Sequence, residues 1–179
     1  GVADNVLQWG ETGTGKTLVA RHVCDRLEVA TAGSDKPIVT TYINTDPIST
    51  FTSTFRKIAE QVNQKASEPV DVPYQGLSAE HYRQQKLWPI VEREFPGGLV
   101  VIIDELDKHG DINEVLYTLS RTRSKDDVDF PVVTIGISND IDFKSDLESR
   151  VQSTLQPEHR TFNPYQRDQL IDILDNRRD

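Results

Sequence analysis

Eight residues near the start of the chain, Gly10 to Thr17, read GETGTGKT and fit the pattern G-x-x-x-x-G-K-[ST]. Glycines at these places let the backbone turn tightly and aim N–H groups inward, which suits phosphate oxygens. Lys16 can reach the β- and γ-phosphates of a nucleotide, and the Thr17 hydroxyl can ligate Mg²⁺. A helix opening at Lys16 would add its positive N-terminal end. Gly10, Glu11, Thr12, Gly13, Thr14, Gly15, Lys16 and Thr17 are thus the expected phosphate cradle, with Leu18 beside it. A plain glycine turn would explain the glycines, but not Lys-Thr directly after an apolar strand.

A second group lies in LVVIIDELD, Leu99 to Asp107. It puts Asp104 and Glu105 at the end of an apolar run. Ligands of open α/β sheets bind at the carboxyl ends of strands. Asp104 can hold Mg²⁺ directly or through water, and Glu105 can orient and deprotonate an attacking water. Taken alone, the pair could also be an acidic strand end with Glu105 in solvent. VVTIGISND repeats the pattern on the next apolar run and places Asn139 at its carboxyl end. There Asn139 can bond a γ-phosphate or the lytic water. It can equally be an ordinary turn residue, since Asn and Asp favour turns.

The elements that must position these groups follow from periodicity. Strands are expected at Val6–Trp9, Ile38–Asn44, Leu99–Ile103, Phe130–Ile137 and, shortest, Arg160–Phe162. Helices are expected at Lys16–Ala30, Thr52–Gln64, His81–Glu94, Asp111–Arg123, Lys144–Leu155 and Tyr165–Arg178. Lys65–Ser78 reads as a loop. In the first helix Leu18, Val19, Val23 and Leu27 recur at helical spacing. Pro89 is expected to kink or split the third helix. In DINE, Asp111 is expected to cap its helix and Glu114 to close a capping box. Strands alternating with helices imply α/β architecture: a parallel five-stranded sheet with helices on both faces.

Composition narrows the class. The 179 residues are 36% hydrophobic and carry a net charge of −9. No stretch approaches the ~20 apolar residues of a membrane span, and no signal peptide is visible. An acidic surface does not bind DNA by bulk electrostatics. Asp outnumbers Glu and Arg outnumbers Lys, a bias that suggests a salt-loving source. Met is absent, even at position 1, so the chain reads as a piece of something longer. Cys24, the one cysteine, is expected to be a small buried hydrophobe in a reducing compartment. The four histidines lack zinc-ligand spacing and are expected at the surface. Ser120–Lys125 reads as a solvated, basic helix end, and Trp9 and Trp88 as packing residues.

The order GETGTGKT, VVIIDELD, GISND, LESRVQSTL and FNPYQRDQLIDIL resembles the AAA+ ATPase domain of archaeal Orc1/Cdc6-type replication initiators. The likeness runs from about Asn5 to the C-terminus. It implies a P-loop NTPase core over residues 1–163, with 164–179 as the first helix leading into a lid. Asn139 matches the sensor-1 position and Arg150 the arginine finger, usually offered to a neighbouring subunit's nucleotide. A finger of this kind is worth ~10³–10⁵ in rate. From spacing alone, Arg150 could instead form a surface salt bridge with Glu148 or Asp146. Tyr165 matches a tyrosine lining the nucleotide site, and Arg177 a nucleotide-contacting arginine. The resemblance implies ATP/ADP and Mg²⁺ as cofactors and slow hydrolysis used as a switch. It also implies neighbouring AAA+ subunits, a replicative helicase and origin DNA as partners. Origin DNA would be met mainly through a winged-helix domain beyond Asp179. Thr45–Phe55 is the candidate for the family's initiator-specific insertion, yet it shows no basic or intercalating pattern.

Three other functions fit parts of the pattern. A P-loop kinase would share the cradle but need no water-activating Glu105. A non-hydrolysing, nucleotide-gated interaction module would find Glu105 dispensable. An AAA+ regulator acting away from origins would share every motif.

Overall fold

The apolar run after Pro96 forms a strand buried along its whole length, Gly98–Asp104. That burial requires neighbours on both edges and cover on both faces. The computed structural model, which describes residues 4–46, 49–122 and 128–164, supplies both. The strands are β1 (Val6–Trp9), β2 (Ile38–Asn44), β3 (Gly98–Asp104), β4 (Val132–Ser138) and β5 (Glu158–Thr161). They form one parallel sheet in the order β2-β3-β4-β1-β5. The expected five-stranded architecture is therefore present, with β1 and β2 at their expected bounds and the ends of β3, β4 and β5 shifted by one or two residues.

Helix α1 (Lys16–Thr31) crosses one face, and α2 (Phe51–Lys65) lies on the other. With α2 pack α3 (Ala79–His81), α4 (Trp88–Glu94) and α5 (Ile112–Ser120), and α6 (Ser149–Leu155) packs on α5 in the same core. The larger core joins Leu7, Val101 and Ile103 of the sheet to Phe55, Ile58 and Val62 of α2 and Leu116 of α5. Trp9 and Trp88 are buried in it, as packing residues. The smaller core lies under α1 and contains Ala20, Cys24, Val100, Ile102 and Ile137. Cys24 is the buried small hydrophobe expected, and burial pushes its thiol up to about 11.

Four expectations are corrected. First, α1 turns Lys16, Ala20 and Cys24 inward, while Leu18, Val19 and Val23 are exposed. The cradle fixes the helix rotation by burying Lys16, and this overrides the apolar spacing. Second, Pro89 does not break its helix. The preceding Tyr82–Leu87 segment is a π-helix, and the Trp88 N–H donates to the Arg83 carbonyl five residues back. Widening the helix there accommodates the proline's missing donor. Third, Asp111 makes no side-chain cap to its own helix. Its carboxylate accepts the Phe51 N–H of α2 at 2.9 Å. Glu114 pairs with Arg150 instead of closing a box. Helix α2 has its own capping box between Thr50 and Ser53. Fourth, Lys144–Leu155 is not one helix. A 3₁₀ turn, Asp142–Ser145, precedes α6, and between them the extended Glu148 donates its N–H to Asn113 Oδ1.

Candidate nucleotide site

The cradle follows β1 directly. Gly10, Gly13 and Gly15 have φ of 146°, 85° and 86°, conformations that suit glycine. At Gly10 a side chain would also run into the Phe162 carbonyl, 2.2 Å from an added Cβ. Lys16 is buried, and its Nζ donates to the Gly10 and Glu11 carbonyls at 2.7 and 2.8 Å. It thus closes the loop on itself. Burial lowers its pKa, against the opposing fields of Asp104 and Asp107. Thr14 donates to the Glu11 carbonyl at 2.8 Å.

The end of β3 meets this loop. Thr17 Oγ1 donates to Asp104 Oδ2 at 2.6 Å, and the Tyr42 hydroxyl donates to the same oxygen at 2.9 Å. The Glu105 N–H donates to Asp104 Oδ1 at 2.9 Å. Three donors on one carboxylate fix its orientation. Burial and the bond to Asp104 push the Tyr42 hydroxyl up to about 12, so it stays a donor. Glu105 sits in the left-handed region, φ 58° and ψ 46°, a conformation costing about 1–3 kcal/mol for a residue of this kind. Its carbonyl is 2.6 Å from Thr45 Oγ1, and its carboxylate pairs with Lys108 at 2.7 Å. A 3₁₀ turn, Leu106–Lys108, follows at once.

A cleft of about 410 Å³ opens here. Thr12, Gly13, Gly15, Lys16, Thr17, Leu18, Asp104, Glu105 and Asn139 line it, together with Tyr42 and Asn44. The first nine were named from the sequence; Tyr42 and Asn44 were not. No local signal marked either: they reach the site through strand register, Asn44 opposite Asp104 across β2 and β3 at the same carboxyl edge. Gly10, Glu11 and Thr14 stand behind the cleft, bonded to Lys16. Arg150 lies elsewhere. It pairs with Glu148 and Glu114 on the surface, with its guanidinium 4.9 Å from the centre of the Tyr117 ring. The surface salt bridge expected as the alternative is present with Glu148, and Glu114 rather than Asp146 joins it. Tyr165 and Arg177 fall outside the described residues, as do Arg123 and Lys125.

The segment after β2 is tied to the segment after β3 at several points. Besides Thr45 on Glu105 and Phe51 on Asp111, Thr54 Oγ1 lies 2.7 Å from His109 Nε2. His109 Nδ1 accepts the Asp111 N–H at 3.0 Å. His109 is buried, which corrects its expected surface placement; His22, His81 and His159 are exposed.

Residues 3–143 match the model of a family described as AAA domain. This chain belongs to the AAA domain family. Among the relatives of this AAA chain is "ORC1-type DNA replication protein 13" of Haloarcula marismortui, 82% identical over 178 residues. It covers 99% of this chain and 42% of that relative. The "ORC1-type DNA replication protein" of Thermococcus kodakarensis is 35% identical over 95% of the AAA chain and 40% of its own length. The solved structure of the Aeropyrum pernix ORC1 protein in complex with DNA superposes with a TM-score of 0.78 at 33% identity. That match covers 98% of this chain and 43% of the other. The AAA chain thus spans about two fifths of the length of these relatives. The resemblance read from the motifs agrees with these names, and the acidic bias agrees with relatives from halophiles. Among the described residues no helix is long and apolar enough to cross a membrane.

Proposed function

We propose that this chain is the ATP-binding, hydrolysing core of an archaeal replication initiator, with hydrolysis slow and used as a switch. The observation that supports it most is the meeting of Lys16, Thr17, Asp104, Glu105 and Asn139 in one cleft. Lys16 neutralises phosphate charge. Thr17 and Asp104 offer hard oxygens 2.6 Å apart, a donor set that fits Mg²⁺. When bound, that ion would neutralise charge on the phosphates. Glu105 takes the proton of the attacking water, and Asn139 reads the γ-phosphate. Release of the Lys108 pair from Glu105 precedes that proton transfer. Arg150, outside the cleft, serves a neighbouring subunit's nucleotide. Tyr165 and Arg177 complete the adenine side. Origin DNA and the helicase are met by the assembled, longer protein, as suggested by relatives named for replication and by the DNA-bound Aeropyrum structure.

The test is Glu105→Gln. Removing a general base costs roughly 10²–10⁴ in rate, so turnover falls at least a hundredfold while ATP affinity holds. Unchanged turnover would instead favour the non-hydrolysing interaction module.

A further inference from the structure

We infer that Asp107 is a positioning residue for Asn139, joining the turn that delivers Glu105 to the strand end that reads the γ-phosphate. The inference rests on the hydrolase reading above and deepens it.

The two catalytic edges are set by different strands. Glu105 follows β3, and Asn139 follows β4. Nothing in a parallel ladder alone fixes how their end loops sit relative to one another, because the hydrogen bonding stops at the strand termini. Asp107 bridges them. Its Oδ1 accepts the Ser138 hydroxyl at 2.7 Å and lies 3.4 Å from the Asn139 N–H. Ser138 is fully buried. Its one hydroxyl proton goes to the nearer acceptor, Asp107, rather than to the Asp140 carbonyl at 3.1 Å. Its oxygen remains free to accept the Asp140 N–H at 3.0 Å. The turn Ser138–Asp140 is thus held from outside by Asp107 and from inside by its own hydroxyl.

The packing beneath makes the bridge stiff. Leu106, between Glu105 and Asp107, is fully buried and sits against Gly136, where an added Cβ would lie 2.7 Å from Leu106 Cδ1. The turn therefore has one seat on β4. From that seat Glu105 and Leu106 point to opposite destinations, and Asp107 reaches the β4 end. A displacement of Asn139 by γ-phosphate is transmitted to the residue two positions from Glu105.

The bridge predicts a functional signature that a merely structural role lacks. ATP turnover and the affinities for fluorescent ATP and ADP analogues are measured on the intact protein. The variants are Asp107→Ala, Asp107→Asn, Asn139→Ala and Asp107→Ala/Asn139→Ala. A misplaced reacting group can cost up to about a hundredfold. Asp107→Ala is expected to lower turnover roughly tenfold or more and to erode the preference for ATP over ADP, with ADP affinity within about twofold. Asp107→Asn keeps the Oδ1 acceptor and stays within about threefold of the parent. The double variant is no worse than Asn139→Ala, because Asp107 acts by placing the Asn139 side chain, which is already gone. If Asp107→Ala does not fold, Ser138→Ala removes the short bond from its other end and is expected to shift turnover and ATP preference the same way. Multiplicative losses in the double variant, or Asp107→Asn as impaired as Asp107→Ala, overturn the positioning role. If Asn139→Ala itself matches the parent in turnover and ATP preference, the sensing role of Asn139 fails first. If Asn139→Ala is impaired while Asp107→Ala and Ser138→Ala are not, only the role of Asp107 is lost.

Discussion

Gly136→Ala tests whether packing, rather than the motif residues alone, sets the catalytic edge. The new methyl would lie 2.5 Å from Leu7 Cδ2 and 2.7 Å from Leu106 Cδ1. Carbon atoms in ordinary contact stand ~3.5–4.0 Å apart, so the overlap is about 1 Å from two sides. Both leucines are fully buried, and neither can swing its methyl into solvent. Overpacking of this kind costs about 1–3 kcal/mol. At ~2–4 °C per kcal/mol for a chain of this size, the unfolding midpoint falls by roughly 4–8 °C for a 2 kcal/mol cost. The strain falls on Leu106, which opens the turn after Glu105, so turnover drops more than nucleotide affinity does. Thermal unfolding and ATP turnover are measured side by side. Trimming the obstructing side chain relieves the clash: Gly136→Ala/Leu106→Ala is less destabilised than the sum of its single variants, by about 1 kcal/mol. A Gly136→Ala midpoint at the parent value, or strict additivity in the double variant, refutes the reasoning.

Two further perturbations address the surroundings of the site. Tyr42→Phe removes one of three donors to the Asp104 carboxylate, and loss of such an outer partner commonly costs ~10–100-fold in metal affinity. The Mg²⁺ concentration for half-maximal turnover therefore rises roughly tenfold; an unchanged Mg²⁺ titration shows that Tyr42 does not orient Asp104. His109 has its pKa lowered by burial and by Lys57, with Asp111 and Asp46 opposing. The unfolded chain then binds the extra proton first, so His109 leaves stability intact above about pH 6.5 and withdraws it as pH falls below that. His109→Gln flattens the stability profile between about pH 7 and pH 5 in chemical denaturation; a profile as steep as the parent's contradicts the assignment.

The sheet was legible because parallel strands buried on both faces leave unbroken apolar runs, as in Leu99–Ile103. The cradle was legible because its chemistry is local: glycines, lysine and threonine lie within eight residues. What failed to show depends on partners far away in the chain. Asp111 has the right type and place to cap α5, yet the Phe51 N–H reaches it from sixty positions upstream. Leu18, Val19 and Val23 keep helical spacing, but burial of Lys16 decides which face of α1 turns inward. The π-helical turn before Pro89 leaves no local signature, since proline more often ends a helix than widens one. Tyr42 and Asn44 become site residues only through the register of β2 on β3.

The ties between the segment after β2 and the segment after β3 have a consequence for protein engineering. Thr45, Phe51 and Thr54 each hold a group between Glu105 and Asp111. The two stretches therefore form one exchangeable unit. A chimera that imports residues 45–54 from a relative while keeping 104–111 severs these joints together. The same graft made with both stretches preserves them. Swapping loops between AAA relatives is thus a matter of transplanting pairs, and a single-loop exchange that loses activity says nothing about what that loop itself contacts.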